Sequence, residues 1–198
     1  MKINESGRSM IEMLGVLAII GVLSVGGIAG YSKAMNKYRV NKTIDQISHI
    51  AANTRILFSA QKDYEGISDT VIEKAKLFPD DVLKAEKKNP FAGDVSLAPS
   101  SRFTSGENGD NKAFVITYGG IPEEACIDLL TIDWGTGTAG GIISLGTAGD
   151  VADQISGKDS DGKDNCTPAT GLGCGAMTVT EAVDACNGDD NTLYFKFY

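Results

Sequence analysis

A run of 20 uncharged residues near the amino terminus constrains this chain more than any other feature. Residues 13–32 contain no Asp, Glu, Lys or Arg, and most of them are apolar. An α-helix of about 20 residues is long enough to cross the hydrocarbon core of a bilayer. A secretory signal peptide has a shorter apolar core with a small-residue cleavage site after it, whereas here the candidate small residue, Gly7, precedes the run. The sequence therefore predicts a membrane-spanning helix that is retained.

The apolar run is unusually rich in glycine. So many glycines are atypical of the core helix of a soluble protein, but small residues let membrane helices approach one another closely. This composition predicts side-by-side packing of identical helices. The glycines are Gly15, Gly21, Gly26, Gly27 and Gly30.

Glu12 is an acidic residue at the edge of this apolar segment. An unpaired carboxylate within a bilayer is costly, so Glu12 predicts a cationic partner. Residues 7–14, GRSMIEML, resemble the amino-terminal signature of the type IV pilin family. Precursors of that family are cut after a Gly and carry a Glu as the fifth residue of the mature chain, and Glu12 is fifth when the count starts at Arg8.

The resemblance implies a processing pathway and an assembly role. A prepilin peptidase would cut after Gly7, removing residues 1–7 as a leader, and would methylate the new amino group of Arg8. Glu12 would pair with the amino terminus of a neighbouring subunit and so neutralise a charge in an apolar filament core. Arg8 departs from the family, whose mature chains usually begin with an apolar residue. The alternative is a plain signal anchor with Glu12 at headgroup depth.

Helix-forming residues continue beyond the apolar run, without Pro or Gly, as far as residue 65. Apolar residues recur there at steps of three and four, which is the pattern of a helix with one apolar face. We therefore predict a single long helix from near Ser9 to about Lys62. Its first half, residues 8–32, would span the membrane or form the filament core, and residues 33–64 would be amphipathic. The apolar face comprises Ile44, Ile47, Ala51, Thr54 and Phe58, flanked by Ile50 and Leu57.

Residues 65–198 have the short periodic segments and turn residues of one globular α+β head. The family resemblance implies a pilin ladle fold, in which the long helix packs on an antiparallel β-sheet. The last strand should alternate, with Leu193, Phe195 and Phe197 on one face and Tyr194, Lys196 and Tyr198 on the other. The predicted helices are residues 69–78, 81–88, 122–130 and 179–186, and the predicted strands are 94–98, 113–118, 142–145 and 192–198; residues 89–93 form a turn and 100–112 a surface loop.

Four cysteines follow the membrane segment: Cys126, Cys166, Cys174 and Cys186. Their even number suits an oxidising compartment and two disulfides, for which three connectivities are possible. No Cys-x-x-Cys pair suits a zinc or redox site. Type IVb pilins are similar in carrying one cysteine on a short Pro-started helix and another just before the final strand. That resemblance implies that Cys126 pairs with Cys186, and Cys166 with Cys174.

One acidic cluster has the residue types of a metal loop. Asp159, Asp161 and Asp164 surround Gly162, and closely spaced carboxylates can bind calcium. The glycine comes earlier than in an EF-hand loop and no acidic residue closes the cluster, so a solvated turn is favoured over a calcium site. No other cofactor is predicted.

The charge is unevenly distributed along the chain. The formal net charge of −8 argues against nucleic acid as the main partner. Residues 31–64 contain six Lys or Arg and two Asp, whereas residues 65–198 contain ten Lys or Arg and 22 Asp or Glu. In a filament, the basic part of one subunit could lie against the acidic head of another; two independently solvated surfaces are the alternative.

These features favour a structural subunit of a type IV pilus. The resemblance implies an inner-membrane precursor with a periplasmic head, which pilus machinery assembles into an extracellular homo-oligomeric filament for adhesion, aggregation, motility, or DNA or conjugative contact. The alternatives are a type II secretion pseudopilin and a membrane-anchored periplasmic binding module. An enzyme is disfavoured because the only histidine, His49, and cysteines that pair provide no catalytic constellation.

Overall fold

The computed structural model describes residues 6–100, 111–134, 141–147, 172–173 and 176–198. The chain divides into two compact units, Met1–Tyr38 and Arg39–Tyr198. Helix α1, Ser6–Phe58, contributes to both. Within the described residues, α1 is the one helix that is long and apolar enough to cross a membrane.

Helix α1 ends at Phe58, four residues before the predicted end at Lys62. The backbone N–H and the hydroxyl of Ser59 both donate to the Ile56 carbonyl, and the Gln61 N–H donates to the Phe58 carbonyl. These bonds span three residues rather than four, so they tighten and end the helix. The chain then turns back, and the ring of Tyr64 packs 5.5 Å from that of Phe58.

Four shorter helices follow: α2 Asp69–Lys74, α3 Asp80–Lys84, α4 Glu123–Thr131 and α5 Val179–Ala185. The first two are shorter than predicted. Lys76 lies just beyond α2 with a φ of 49°, and Glu86 just beyond α3 with a φ of 56°. A residue in this left-handed region ends a helix.

The sheet is antiparallel throughout, with the strand order β1-β2-β5-β3-β4. Strand β5 ends the chain yet lies between β2 and β3, so Phe195 is paired with Ile116 on one side and Leu145 on the other. The α+β class with an antiparallel sheet is confirmed. The strands are β1 Val95–Ser100, β2 Ala113–Ile121, β3 Ile142–Gly146, β4 Leu172–Gly173 and β5 Asn191–Phe197.

The core of the second unit lies between α1 and the sheet. Side chains of α1 from Val40 to Phe58 share one buried cluster with β2 and β5, as the apolar periodicity predicts. Leu57, on the flank of that face, is 41% exposed. Ile44, also predicted for that face, is only partly buried. The buried residues of α1 are Val40, Thr43, Gln46, Ile47, Ile50, Ala51, Thr54 and Phe58.

Candidate assembly surface

The amino-terminal part of α1 presents an apolar surface on every side. All large apolar side chains from Met10 to Tyr31, which we call the apolar segment, are at least 52% exposed. Transferring apolar surface out of water gains about 25 cal/mol per Å², so a helix of this kind is stable only in a bilayer or against other chains. The apolar segment is therefore the candidate assembly surface.

The glycines of the apolar segment have no packing role within the chain. A Cβ atom built at any of the five would meet no atom within 4 Å. Their small size instead leaves shallow grooves, which allow a second helix to approach closely. The described geometry thus agrees with helix-to-helix packing between copies.

Glu12 lies within this surface. Its side chain is exposed on the second turn of α1 and is flanked by Ile11 and Met13, which are also exposed. A carboxylate surrounded by apolar side chains needs a cationic partner once water is excluded. Gly7 and Arg8 belong to the first turn of α1, and the Arg8 side chain lies outside the described part of the chain.

The carboxyl-terminal region is held by a disulfide between Cys126, on α4, and Cys186, just after α5. Both cysteines are buried. The Met177 N–H donates to the Leu130 carbonyl at 2.9 Å, and a capping box of Thr178 and Glu181 begins α5. The disulfide implied by the family resemblance is therefore present.

Arg55 connects α1 to the end of the chain. Its Nε donates to the Tyr198 carbonyl at 2.9 Å, and its guanidinium lies 5.3 Å from the centroid of the Phe197 ring. Burial lowers the pKa of Arg55, and Tyr64 and Tyr198 offset only part of that shift. The long helix thus fixes the central strand of the sheet at its end.

The family was identified by comparison with known proteins. The family model described as PilS N terminal matches residues 37–197. The chain belongs to this family of type IV pilins. Type IV pilins are structural proteins rather than enzymes.

The individual relatives of this pilin share little sequence identity with it but align over most of its length. It is 23% identical over 197 residues to the major structural subunit of bundle-forming pilus from Escherichia coli O111:H-, covering 98% of this chain and 94% of that protein. It is 25% identical over 134 residues to the toxin coregulated pilin of Vibrio cholerae serotype O1, covering 66% of this chain and 58% of that one. The structure of TcpA, a type IV pilin from the Vibrio cholerae El Tor biotype, aligns with a TM-score of 0.50 at 15% identity, covering 82% of this chain and 99% of that chain, which supports the fold.

Other predicted site residues of this pilin lie outside the described residues. These are Cys166 and Cys174 of the second predicted disulfide, and the weak calcium candidates Asp159, Asp161 and Asp164. The second disulfide and the calcium site stay predictions. Among the described residues, no group of three or more His, Cys, Asp or Glu could hold a metal ion.

Two polar anchors of the pilin head were not recognised from the sequence. Asp81 of α3 accepts hydrogen bonds from Lys42 and Gln46 of α1, both at 2.9 Å. Burial raises the pKa of Asp81, but these two hydrogen bonds, the charge of Lys42 and a hydrogen bond from the Val82 N–H together outweigh it, so the pKa lies below its ordinary value. The second anchor is Arg55. Arg55 is next to Thr54 of the predicted apolar face of α1, and that position was the signal in the sequence that could have identified it.

Proposed function

We propose that this pilin polymerises through its apolar segment into an extracellular filament. The observation that carries the proposal is the exposure of the apolar segment, residues 10–31, on a chain whose second unit has its own buried core. A relative that aligns over almost its whole length is the major structural subunit of a bundle-forming pilus. Filament packing would bury the apolar segment of each copy against those of its neighbours.

We further propose that the chain begins as an inner-membrane precursor with its head in the periplasm. Prepilin peptidase would cut after Gly7 and methylate Arg8, and the pilus machinery would then extract the mature chain. The amino terminus that cleavage creates would supply the cation that Glu12 needs in a neighbouring copy. The signature at residues 7–14 and the family membership support these steps.

The test is the yield of filaments sheared from cells that express the full-length chain and a matching pilus machinery. Glu12→Gln keeps the side-chain volume and removes the charge, so we expect a fall of roughly tenfold or more, with the mature chain retained in the membrane. Asp45→Asn makes the same change at an exposed acid elsewhere on α1 and should leave the yield unchanged.

Three outcomes would contradict parts of the proposal. Equal filament yields from Glu12→Gln and the parent chain would show that the charge of Glu12 has no role in assembly. Short filaments confined to the periplasm would instead indicate a secretion pseudopilin. A parent chain found only in membranes, under conditions in which another pilin assembles, would contradict the filament function and favour an anchored binding module.

A further inference from the structure

The sheet carries a cleft on the face that points away from α1. Val95, Tyr118 and Leu193 are buried with α1 in the core, so the residues that alternate with them on β1, β2 and β5 lie on the opposite face. Near the start of β1 and the end of β2, that face encloses a cleft of about 460 Å³. This volume is typical of sites that bind small molecules.

Gly119 lines the cleft between Asp94 and Thr192. Its φ lies outside the left-handed region, and a Cβ atom built on it would make only ordinary contacts, 3.8 Å from the Asp94 nitrogen and 3.9 Å from the Thr192 hydroxyl oxygen. The neighbouring Gly120, by contrast, has a φ of 66° and lies against Gly93. Neither backbone angle nor packing therefore requires glycine at position 119, and its missing side chain leaves open space in the cleft.

Hydroxyl groups line the cleft next to this space. Ser96 and Thr117 are cross-strand partners, and Thr192 lies on the neighbouring strand β5. None of these three hydroxyls has a hydrogen-bond partner among the described residues. Each can donate one hydrogen bond and accept two. Tyr194, the partner of Thr117 on β5, adds a partly buried ring to the same face. The cleft thus offers unused hydrogen-bonding groups beside an aromatic ring.

Two carboxylates also line the cleft. The Asp94 carboxylate lies 2.6 Å from the Lys88 Nζ, and Asp190 is exposed. A carboxylate only accepts hydrogen bonds, so a ligand has to supply donors to it. The negative charge of Asp190, with that of the exposed Asp189 before it, disfavours an anionic ligand. The ligand that fits is therefore uncharged and carries several groups that both donate and accept hydrogen bonds.

We infer that the cleft binds a neutral sugar residue. Adjacent hydroxyls of the sugar donate to the Asp190 carboxylate and exchange hydrogen bonds with the three hydroxyl side chains, while the apolar side of the sugar ring faces Tyr194. The space beside Gly119 receives the sugar ring. This inference goes beyond the proposed function, because assembly uses the apolar segment and the cleft belongs to the head.

Saturation-transfer NMR of the full-length chain tests the site. The chain is kept in micelles of a zwitterionic detergent, because many other detergents are themselves glycosides, and empty micelles serve as the blank. The probes are the methyl glycosides of glucose, galactose and mannose, with N-acetylneuraminic acid as the anionic probe. We expect at least one of the methyl hexosides to receive saturation from the protein, and the anionic probe to receive none.

A second arm separates two sources of the sugar. Beads that carry an oligosaccharide ending in the bound hexose are offered to the same chain. Capture on the beads indicates the end of a glycan chain, and hexoside binding without capture indicates a free sugar. Both results support the cleft as a sugar site.

Two variants assign the binding to the cleft. Gly119→Ala places a methyl group in the open space without strain, so it should weaken hexoside binding roughly tenfold or more while stability in urea is unchanged. Thr117→Val keeps the side-chain volume and removes one hydroxyl, so it should weaken binding about fivefold, the effect of one lost hydrogen bond. Thr70→Val makes the same change at an exposed threonine that does not line the cleft, and it should bind like the parent.

The outcomes that overturn the inference are distinct from failure of the proposed function. The inference is wrong if the parent saturates none of the methyl hexosides, or if it saturates N-acetylneuraminic acid equally well. A folded Gly119→Ala chain that binds as tightly as the parent also overturns it. If Gly119→Ala fails to fold, Thr117→Val decides, and undiminished binding by that variant rejects the site. All of these results are obtained without assembly, so they leave the filament function standing.

Discussion

Replacing Gly93 by Ala should strongly destabilise the head, although the change adds only one methyl group. Gly93 closes the turn that precedes β1, and its backbone lies directly on Gly119 and Gly120, in the irregular end of β2. A Cβ atom on Gly93 would overlap the Gly119 carbonyl and lie 2.8 Å from the Gly120 nitrogen. Both obstacles are backbone atoms, so no side chain can rotate away and the two segments must separate.

The size of the effect follows from what the separation disrupts. Buried Asn89 donates to the Gly119 carbonyl at 2.7 Å and accepts from the N–H of Gly93 at 3.1 Å. The Gly119 N–H also donates to the Asp94 carbonyl at 2.9 Å. Overpacking costs about 1–3 kcal/mol, and each weakened hydrogen bond costs about 1 kcal/mol. For the three hydrogen bonds together with overpacking, we expect the free energy of unfolding to fall by about 4–6 kcal/mol.

The assay is urea unfolding of the full-length chain in detergent micelles, followed by fluorescence. Trp134 is the only tryptophan and lies 5.1 Å from the Phe195 ring, so its emission reports on the core of the head. Gly188→Ala is the matched control. Gly188 has a φ of 71° and open space around it, so an added Cβ brings only the left-handed strain of about 1–2 kcal/mol. If Gly93→Ala lowers the free energy of unfolding by no more than Gly188→Ala does, the reasoning is refuted.

Three further predictions use the same assay. The disulfide closes a separation of 60 residues, so replacing Cys126 and Cys186 together by Ser should lower the free energy of unfolding by about 4 kcal/mol; a loss below about 1 kcal/mol would contradict the loop-entropy argument. The Tyr118 hydroxyl is buried and has no hydrogen-bond partner among the described residues, so Tyr118→Phe should leave stability unchanged or raise it by up to about 1 kcal/mol, and a clear loss would indicate an unseen partner. The pKa of Asp81 is lower in the folded chain than its ordinary value of 3.8, so its contribution with Lys42 is present above that pH and is lost as the pH falls through the lower value. Asp81→Asn should reduce the loss of stability at acid pH, and an unchanged pH dependence would assign that loss to other groups.

Local patterns were sufficient to predict most elements of the fold. The three- and four-residue spacing on α1 identified Ile47, Ala51 and Phe58 as core residues, and all three are buried. Alternation likewise identified the last strand to within one residue at each end, Asn191–Phe197 against the predicted 192–198. Both patterns depend on neighbouring residues along one element, and that information is present in a single sequence.

Features that depend on distant parts of the chain were not predictable. No Gly or Pro marks the end of α1, because the turn after Phe58 is made by Ser59 and by packing on Tyr64. Lys196 is fully buried, as are its cross-strand partners Val115 and Ser144, so both faces of the sheet are covered at this point, whereas an alternating strand is usually solvated on one face. The contact of Gly93 with Gly119 joins the turn before β1 to the far end of β2, and the whole of β1 lies between them in the sequence.

The most direct test of the central claim is the intact mass and amino-terminal sequence of the protein in sheared surface filaments, measured without reduction. We expect a chain that begins at Arg8 and is lighter by the four hydrogens that its four cysteines lose in two disulfides. Such a chain would establish cleavage after Gly7 and export together. A chain that still begins at Met1 and occurs only in membranes would contradict the claim.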